Sequence, residues 1–165
     1  MKAHIQQLNN TYSDQLIDLI LTIQQKEFNV PITIEDQPDL KQIESFYMEP
    51  GGNFWGAFID GELVGSIALV KFDEREGAIR KMFVKKEFRG KELNIAQELL
   101  EVLISFCREN GIEAIYLGTI SILKAAIRFY ERNHFSQIKK ENLPTRFPLM
   151  GADNIFYYLN VNQTV

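Results

Sequence analysis

KKEFRGKELNIAQELLE, residues 85–101, changes character part-way along. It opens as an exposed basic turn. Around Glu92 to Asn94 it becomes a helix, with Ile95, Leu99, Val102 and Phe106 recurring at the spacing of one apolar face. A basic turn feeding a helix start offers an anion unpaired backbone N–H groups and the positive end of the helix dipole, so phosphate is the guest this stretch suits. Arg80, Lys81, Lys85, Lys86, Arg89 and Lys91 crowd into the same short region of a chain whose formal net charge is -4. That cluster reads either as a solvated basic face or as a site for an anionic cofactor. The acidic remainder argues against a general nucleic-acid-binding surface and suits a cationic second substrate.

Upstream, NFWGAFIDGELVGSIALVKF (53–72) reads as two strands joined by Asp60-Gly61, a dipeptide suited to a type I′ hairpin turn. The charged connection DEREG, holding Asp73, Glu74 and Glu76, leads to a third strand, AIRKMFV. There Ile79, Lys81 and Phe83 are expected on one face and Arg80, Met82 and Val84 on the other. Downstream, Asn110-Gly111 stops the helix, and EAIYLGT (113–119) is expected as a strand buried on both faces. Strand, helix, strand implies a parallel crossover.

Further out, residues 2–8 suit an edge strand, and Thr11 or Ser13 can cap a helix with Leu16, Ile17, Ile20 and Ile23 as its stripe, ending near Glu27. A short helix is expected from Pro38 to about Met48. Ser121 can cap a later helix that Asn133 and His134 end; FSQIKK (135–140) and DNIFYYLNV (153–161) read as a final antiparallel pair. At 165 residues, with no repeat or linker, the chain is expected to form one domain, residues 1–165. Its fold class is α/β: a mixed sheet flanked by helices, open to ligands between the third strand and EAIYLGT. A single cysteine and a start without an apolar h-region suit a cytoplasmic protein, and no apolar run approaches membrane-spanning length.

The arrangement resembles the GNAT superfamily of acetyl-CoA-dependent N-acetyltransferases over nearly the whole chain. The most specific part is AIRKMFVKKEFRGKELNIAQELLEVL (78–103), similar to that family's cofactor-binding strand, turn and helix, followed by FYERNHF (129–135), similar to its tyrosine-containing downstream motif. The resemblance implies the GNAT acyl-CoA N-acyltransferase fold, with a mostly antiparallel central sheet, a parallel split and helices on both faces. It implies acetyl-CoA as cosubstrate. The family's turn has Arg or Gln, two residues, Gly, one residue, then Gly or Ala, and its backbone holds the CoA pyrophosphate. Arg89-Gly90-Lys91 begins that pattern, but Glu92 stands where glycine is wanted; Lys91-Glu92-Leu93-Asn94-Ile95-Ala96 restores the spacing with Asn in place of Gly. Asn tolerates left-handed backbone and Ala96 is small enough for close approach, whereas Glu92 must turn outward or cap the helix to avoid repelling phosphate.

By the same resemblance, backbone groups of Met82, Phe83 and Val84 hold the acetyl and pantetheine arms, and Tyr130 is the acid that protonates the departing thiolate. Leu123 stands where many members carry Asn, and His134 replaces a common glycine. The base is the open position. Ala78 and Ile79 occupy the strand start where relatives often carry a carboxylate, leaving Glu76, read as part of the preceding turn, as the candidate, or a water ordered by the loop LPTRFPLM (143–150). Cys107, beside Leu103 and Phe106, reads as a buried thiol rather than a nucleophile, and two histidines and one cysteine offer no metal spacing, so direct transfer without a metal is expected. The acceptor is expected to be a small-molecule or peptide amine, with no nucleic-acid or membrane partner; dimerisation is left open. The other function class compatible with these residues is a CoA-binding sensor or interaction module that keeps the cradle and has lost transfer.

Overall fold

The computed structural model describes residues 2–163. Its strands form one seven-stranded sheet in the order β1-β2-β3-β4-β5-β7-β6. These are β1 (His4–Gln7), β2 (Asn53–Ile59), β3 (Glu62–Asp73), β4 (Glu76–Val84), β5 (Ala114–Thr119), β6 (Ser136–Ile138) and β7 (Ile155–Asn160). The β4–β5 pair is parallel, with Glu76, Gly77 and Ala78 opposite Ala114, Ile115 and Tyr116, as the strand–helix–strand order requires. The β1–β2, β2–β3, β5–β7 and β6–β7 pairs are antiparallel. The chain packs as two compact units, Met1–Val70 with Arg80–Leu103, and Lys71–Ile79 with Ile104–Val165.

In the first unit the expected hairpin is present. Asp60 and Gly61 have φ of 49° and 82°, the two left-handed residues of a type I′ turn, and Ile59 pairs with Glu62. A bulge follows, since Ala57 faces Gly65 while Phe58 faces Leu63, so Val64 is the extra residue. Helix α1 (Ser13–Leu21) continues through wider π-type turns from Thr22 to Glu27, which matches the expected end. Its cap differs from the expectation. Asn9 accepts from the Thr11 N–H at 2.9 Å and caps the 3₁₀ turn that leads in, so neither Thr11 nor Ser13 is needed there. The helix expected from Pro38 to Met48 is two pieces, a 3₁₀ turn Pro38–Lys41 and a π-type turn Ile43–Met48, interrupted where Gln42 takes φ of −134°. Leu8, Leu16, Ile20, Leu40, Tyr47 and Phe54 make the fully buried heart of this unit.

In the second unit the helix α2 (Ile95–Glu109), which begins in the first, ends as predicted. Gly111 has φ of 73°, and the Ile112 N–H reaches back to the Cys107 carbonyl at 2.9 Å. Strand β5 is not buried on both faces. Ile115, Leu117 and Thr119 are buried, while the opposite face carries Tyr116, whose ring packs against Phe72, Phe147 and Tyr158 and keeps partial exposure. Helix α3 (Lys124–Arg132) starts from Leu123 without a side-chain cap, because Ser121 is engaged by Asn154 instead. At its other end His134, with φ of 71°, and the Phe135 N–H on the Tyr130 carbonyl close the helix, so His134 is a helix-end residue.

Candidate functional site

The basic turn is built from the strand that precedes it. β4 runs into a 3₁₀ turn, Lys86–Phe88, then Arg89 returns to extended backbone and Gly90 turns left-handed at φ of 118°. Asn94 is left-handed too, at 54°, immediately before α2. Its own N–H goes to the Gly90 carbonyl at 3.0 Å, and the Glu98 N–H to the Asn94 carbonyl at 3.1 Å is the bond that opens the helix. The amides of Ile95 and Ala96 therefore belong to the first turn, where no intrahelical acceptor exists, and the helix dipole adds its positive end there. The helix start is seated closely on β3. A Cβ placed on Gly65 would meet Ile95 and Leu99 side-chain carbons at 3.2 and 3.3 Å. Glycine at that position sets how near the turn lies to the sheet.

Two of the basic side chains in this turn are occupied by carboxylates. Arg89 donates from both terminal nitrogens to Glu27, at 2.5 and 2.7 Å, from Nε to the Val84 carbonyl at 2.8 Å, and its guanidinium lies 5.9 Å from the Phe28 ring centroid. Lys85 donates to Glu62 at 2.5 Å, and this hydrogen bond raises its pKa. Lys86, Lys91 and Glu92 are exposed. The arginine of the motif thus ties the turn to the end of the α1 extension.

Strand β4 is kinked where the alternation expected from sequence breaks. Lys81 has φ of 55°, so Arg80 and Lys81 both turn toward the segment from Gln37 to Met48: Arg80 lies 5.8 Å from the Phe46 ring centroid and Lys81 Nζ donates to Gln37 at 2.5 Å. A left-handed residue inserted in a strand rotates the following peptide, and Met82, Phe83 and Val84 come directly after it. The Lys81 carbonyl accepts from Ser66 Oγ at 2.7 Å, which fixes the kink to β3. Burial pulls the Lys81 ammonium down to about 8 although Asp39, 3.6 Å away, opposes the shift. Asp39 also accepts from the Tyr47 hydroxyl at 2.5 Å, and that phenol is held far above its ordinary range, first by burial and then by the Asp39 charge. Sequence reading does not anticipate this buried group, since the polar run from Glu35 to Asp39 reads as a loop.

In the second unit Tyr130 lies on α3 with its ring against Phe129, Phe135 and Tyr157, and it is 7% exposed. Burial, and after it the charge of Asp153, holds its phenol above the ordinary range, so it is protonated at neutral pH. Glu76 is not in the turn. It opens β4, opposite Ala114, and accepts from the Tyr116 hydroxyl at 3.0 Å; burial, then that bond, pushes the Tyr116 phenol up to about 12. Cys107 is fully buried and its thiol is pushed up to about 12 by desolvation, which fits packing and not nucleophilic attack.

Residues 17–135 match the model of the acetyltransferase (GNAT) family. The chain belongs to that family. Among solved structures, a GNAT-family acetyltransferase from Staphylococcus aureus Mu50 superposes with a TM-score of 0.92 at 43% identity, over 96% of this chain and 99% of that one. An acetyltransferase from Streptococcus agalactiae does so at 0.91 and 31% identity, over 96% and 98%. Among curated proteins, N-acetylaspartate synthetase of Danio rerio is 36% identical over 118 residues, 67% of this chain and 41% of its own length. The uncharacterized N-acetyltransferase YjgM of Escherichia coli is 33% identical over 109 residues, 64% of each. The chain thus spans less than half the length of the first of these relatives.

As a GNAT member the chain has the mixed sheet with a parallel pair that its sequence resembles. Gly90 to Ala96 and Met82 to Val84 lie in the first unit, on one continuous strand, turn and helix; Tyr130 and Glu76 lie in the second, on separate elements. Among the described residues no group of three or more His, Cys, Asp or Glu is arranged to hold a metal ion, and no helix is long and apolar enough to cross a membrane.

Proposed function

We propose that residues 1–165 form one GNAT domain that transfers an acetyl group from acetyl-CoA to a primary amine by direct attack, in the cytoplasm and without a metal. The observation that carries this reading is the turn between β4 and α2, where Gly90 and Asn94 are both left-handed and the first helical amides of Ile95 and Ala96 follow. Such a turn concentrates N–H donors with no counter-charge of their own, which is what a pyrophosphate needs. Acetyl-CoA supplies an activated thioester. Lys91 and the amides of Lys91, Glu92, Leu93, Ile95 and Ala96, with the Glu92 side chain turned to solvent, would hold its phosphates beside the Arg89-Gly90 turn, while the Asn94 N–H, bonded to the Gly90 carbonyl, fixes the turn instead of reaching the phosphates. Backbone of Met82, Phe83 and Val84, after the Lys81 kink, would hold its acyl arm and polarise the carbonyl.

Tyr130, kept protonated by its surroundings, is suited to give a proton to the departing thiolate. Glu76 has one oxygen bonded to Tyr116, and a pH–rate profile unchanged by Glu76→Gln would exclude it as the base. For the acceptor we infer a small-molecule or peptide amine. Similarity to an N-acetylaspartate synthetase supports trying the α-amines of amino acids first. The test is purified protein with acetyl-CoA and a panel of amino acids, polyamines and peptides, read by free thiol release and by the mass of the product. Amine-dependent release with a product heavier by one acetyl group is expected. Tight acetyl-CoA binding with no release across the panel would assign the chain to the CoA-binding sensor class instead.

A further inference from the structure

We propose that Asp153 is the group that takes the proton from the attacking amine. The inference rests on the reading of the chain as an acetyl-CoA-dependent N-acetyltransferase. Asp153 lies near the end of the loop between β6 and β7, one residue before Asn154, and the loop is pinned at that point. The Asn154 N–H donates to the Thr119 carbonyl at 3.0 Å, the Asn154 side chain accepts from the Ser121 N–H at 2.9 Å, and the Asp153 N–H closes a turn on the Met150 carbonyl at 3.1 Å. This carries the carboxylate over Gly118 of β5. A Cβ on residue 118 would sit 2.4 Å from Asp153 Oδ2 and 2.9 Å from its Cγ, so only glycine lets the carboxylate lie there.

The same carboxylate borders a cleft of about 390 Å³ lined by Gln137 to Glu141 and Asn154 to Phe156, so a small molecule has room to approach it. Its charge also reaches Tyr130, the acid of the proposed reaction. Tyr130 on α3 feels the Asp153 charge, Lys139, Lys140 and Glu141 from the segment after β6 line the same cleft, and β5 and β7 present Gly118 and Phe156 there. In the reaction the amine nitrogen forms the bond to the acyl carbon and loses one N–H proton to the Asp153 carboxylate. The carbon–sulfur bond breaks, and the sulfur takes the phenolic proton of Tyr130. The proton on Asp153 then passes to the Tyr130 phenolate, which leaves amide, thiol and both side chains in their starting states.

The test uses whichever amine the wild-type chain acetylates fastest. Asp153→Asn is expected to lower turnover about 100-fold, to leave the KM for acetyl-CoA within twofold, and to abolish the acidic limb of the kcat/KM profile. Gly118→Ala, which displaces the carboxylate without removing it, is expected to lose turnover likewise, and Asp153→Glu to recover part of it. Melting curves establish that each variant is folded. Wild-type turnover and an intact acidic limb in Asp153→Asn would overturn the assignment and leave acetyl transfer standing. A wild-type chain that acetylates no amine would overturn both.

Discussion

The Lys81 ammonium lies 3.6 Å from the Asp39 carboxylate, and the two side chains are 6% and 9% exposed. Asp39 accepts from Tyr47 as well, and Lys81 donates to Gln37, so the ion pair has hydrogen-bond partners on both sides. Buried pairs add little net stability over apolar replacements, but removing one partner leaves the other stranded. Asp39→Asn is therefore expected to cost about 3 kcal/mol, and Lys81→Met with Asp39→Asn together less than the sum of the two single changes. The pH dependence follows from the lowered Lys81 pKa. Between about 8 and the ordinary 10.5 the unfolded chain holds this proton and the folded chain does not, so Lys81 makes stability rise with pH across that window. The raised Tyr47 phenol works the other way, above its ordinary value of 10.0. Urea titrations of the wild type and Lys81→Met at pH 7.5 and 9.5 should show the rise in the wild type relative to the variant.

The fork between Arg89 and Glu27 makes a second, separable prediction. Arg89 also holds the Val84 carbonyl, so its loss loosens the turn from β4 and from the end of the α1 extension at once. A lysine keeps the charge but not the bidentate geometry, and Arg89→Lys should cost about 1 kcal/mol, a few degrees in Tm, with a several-fold weaker acetyl-CoA affinity. Lys91 is exposed and its substitution should leave Tm unchanged. Lys91→Gln is expected to weaken acetyl-CoA binding alone, measured by titration calorimetry. Unchanged binding in Lys91→Gln would take Lys91 out of the phosphate cradle.

How far the sequence could be read depended on how local each feature is. The Asp60-Gly61 hairpin, the Asn110-Gly111 stop and the strand–helix–strand crossover are written in neighbouring residues, and each is present. The Lys81 kink is not, because nothing in a lysine favours a left-handed backbone; its partner Gln37 is 44 positions away and is brought there only by folding. Arg89 illustrates the same limit, since a family motif marks it for the cofactor while Glu27, 62 positions earlier, engages its guanidinium. Glu76 was misplaced by two residues because DEREG is charged throughout and the start of pairing with β5 leaves no mark in such a run. Asp153 gives no signal of its own, since the sequence reads it as the first residue of the last strand, whereas β7 begins at Ile155.

Tyr130 is the residue whose assignment depends most on chemistry. It is packed among three aromatic rings, so phenylalanine should be tolerated with little change in folding. Tyr130→Phe is then expected to lower turnover about 100-fold while acetyl-CoA affinity stays within twofold. Because burial and Asp153 hold the phenol above its ordinary range, the wild-type rate should show no basic limb from this group below pH 10. Stopped-flow measurement of thiol release over pH 6–10 reads both. Full turnover in the folded variant would remove Tyr130 from the mechanism.

Asn94 stands left-handed, at φ of 54°, where the turn becomes α2, and its side chain is exposed, so what residue 94 can be is decided by backbone. A β-branched residue in that conformation costs about 1–2 kcal/mol and would press the turn toward another geometry, whereas glycine adopts it freely. Asn94→Val should therefore lose stability by about that amount and bind acetyl-CoA at least several-fold more weakly, since the amides of Ile95 and Ala96 take their direction from residue 94. Asn94→Gly should keep both properties, because the family's glycine at this kind of position and the asparagine here meet one backbone requirement. Parallel melting curves and calorimetric titrations separate the two effects. If Asn94→Val melts lower yet binds acetyl-CoA as the wild type does, the left-handed turn serves the helix start and the phosphates are held elsewhere.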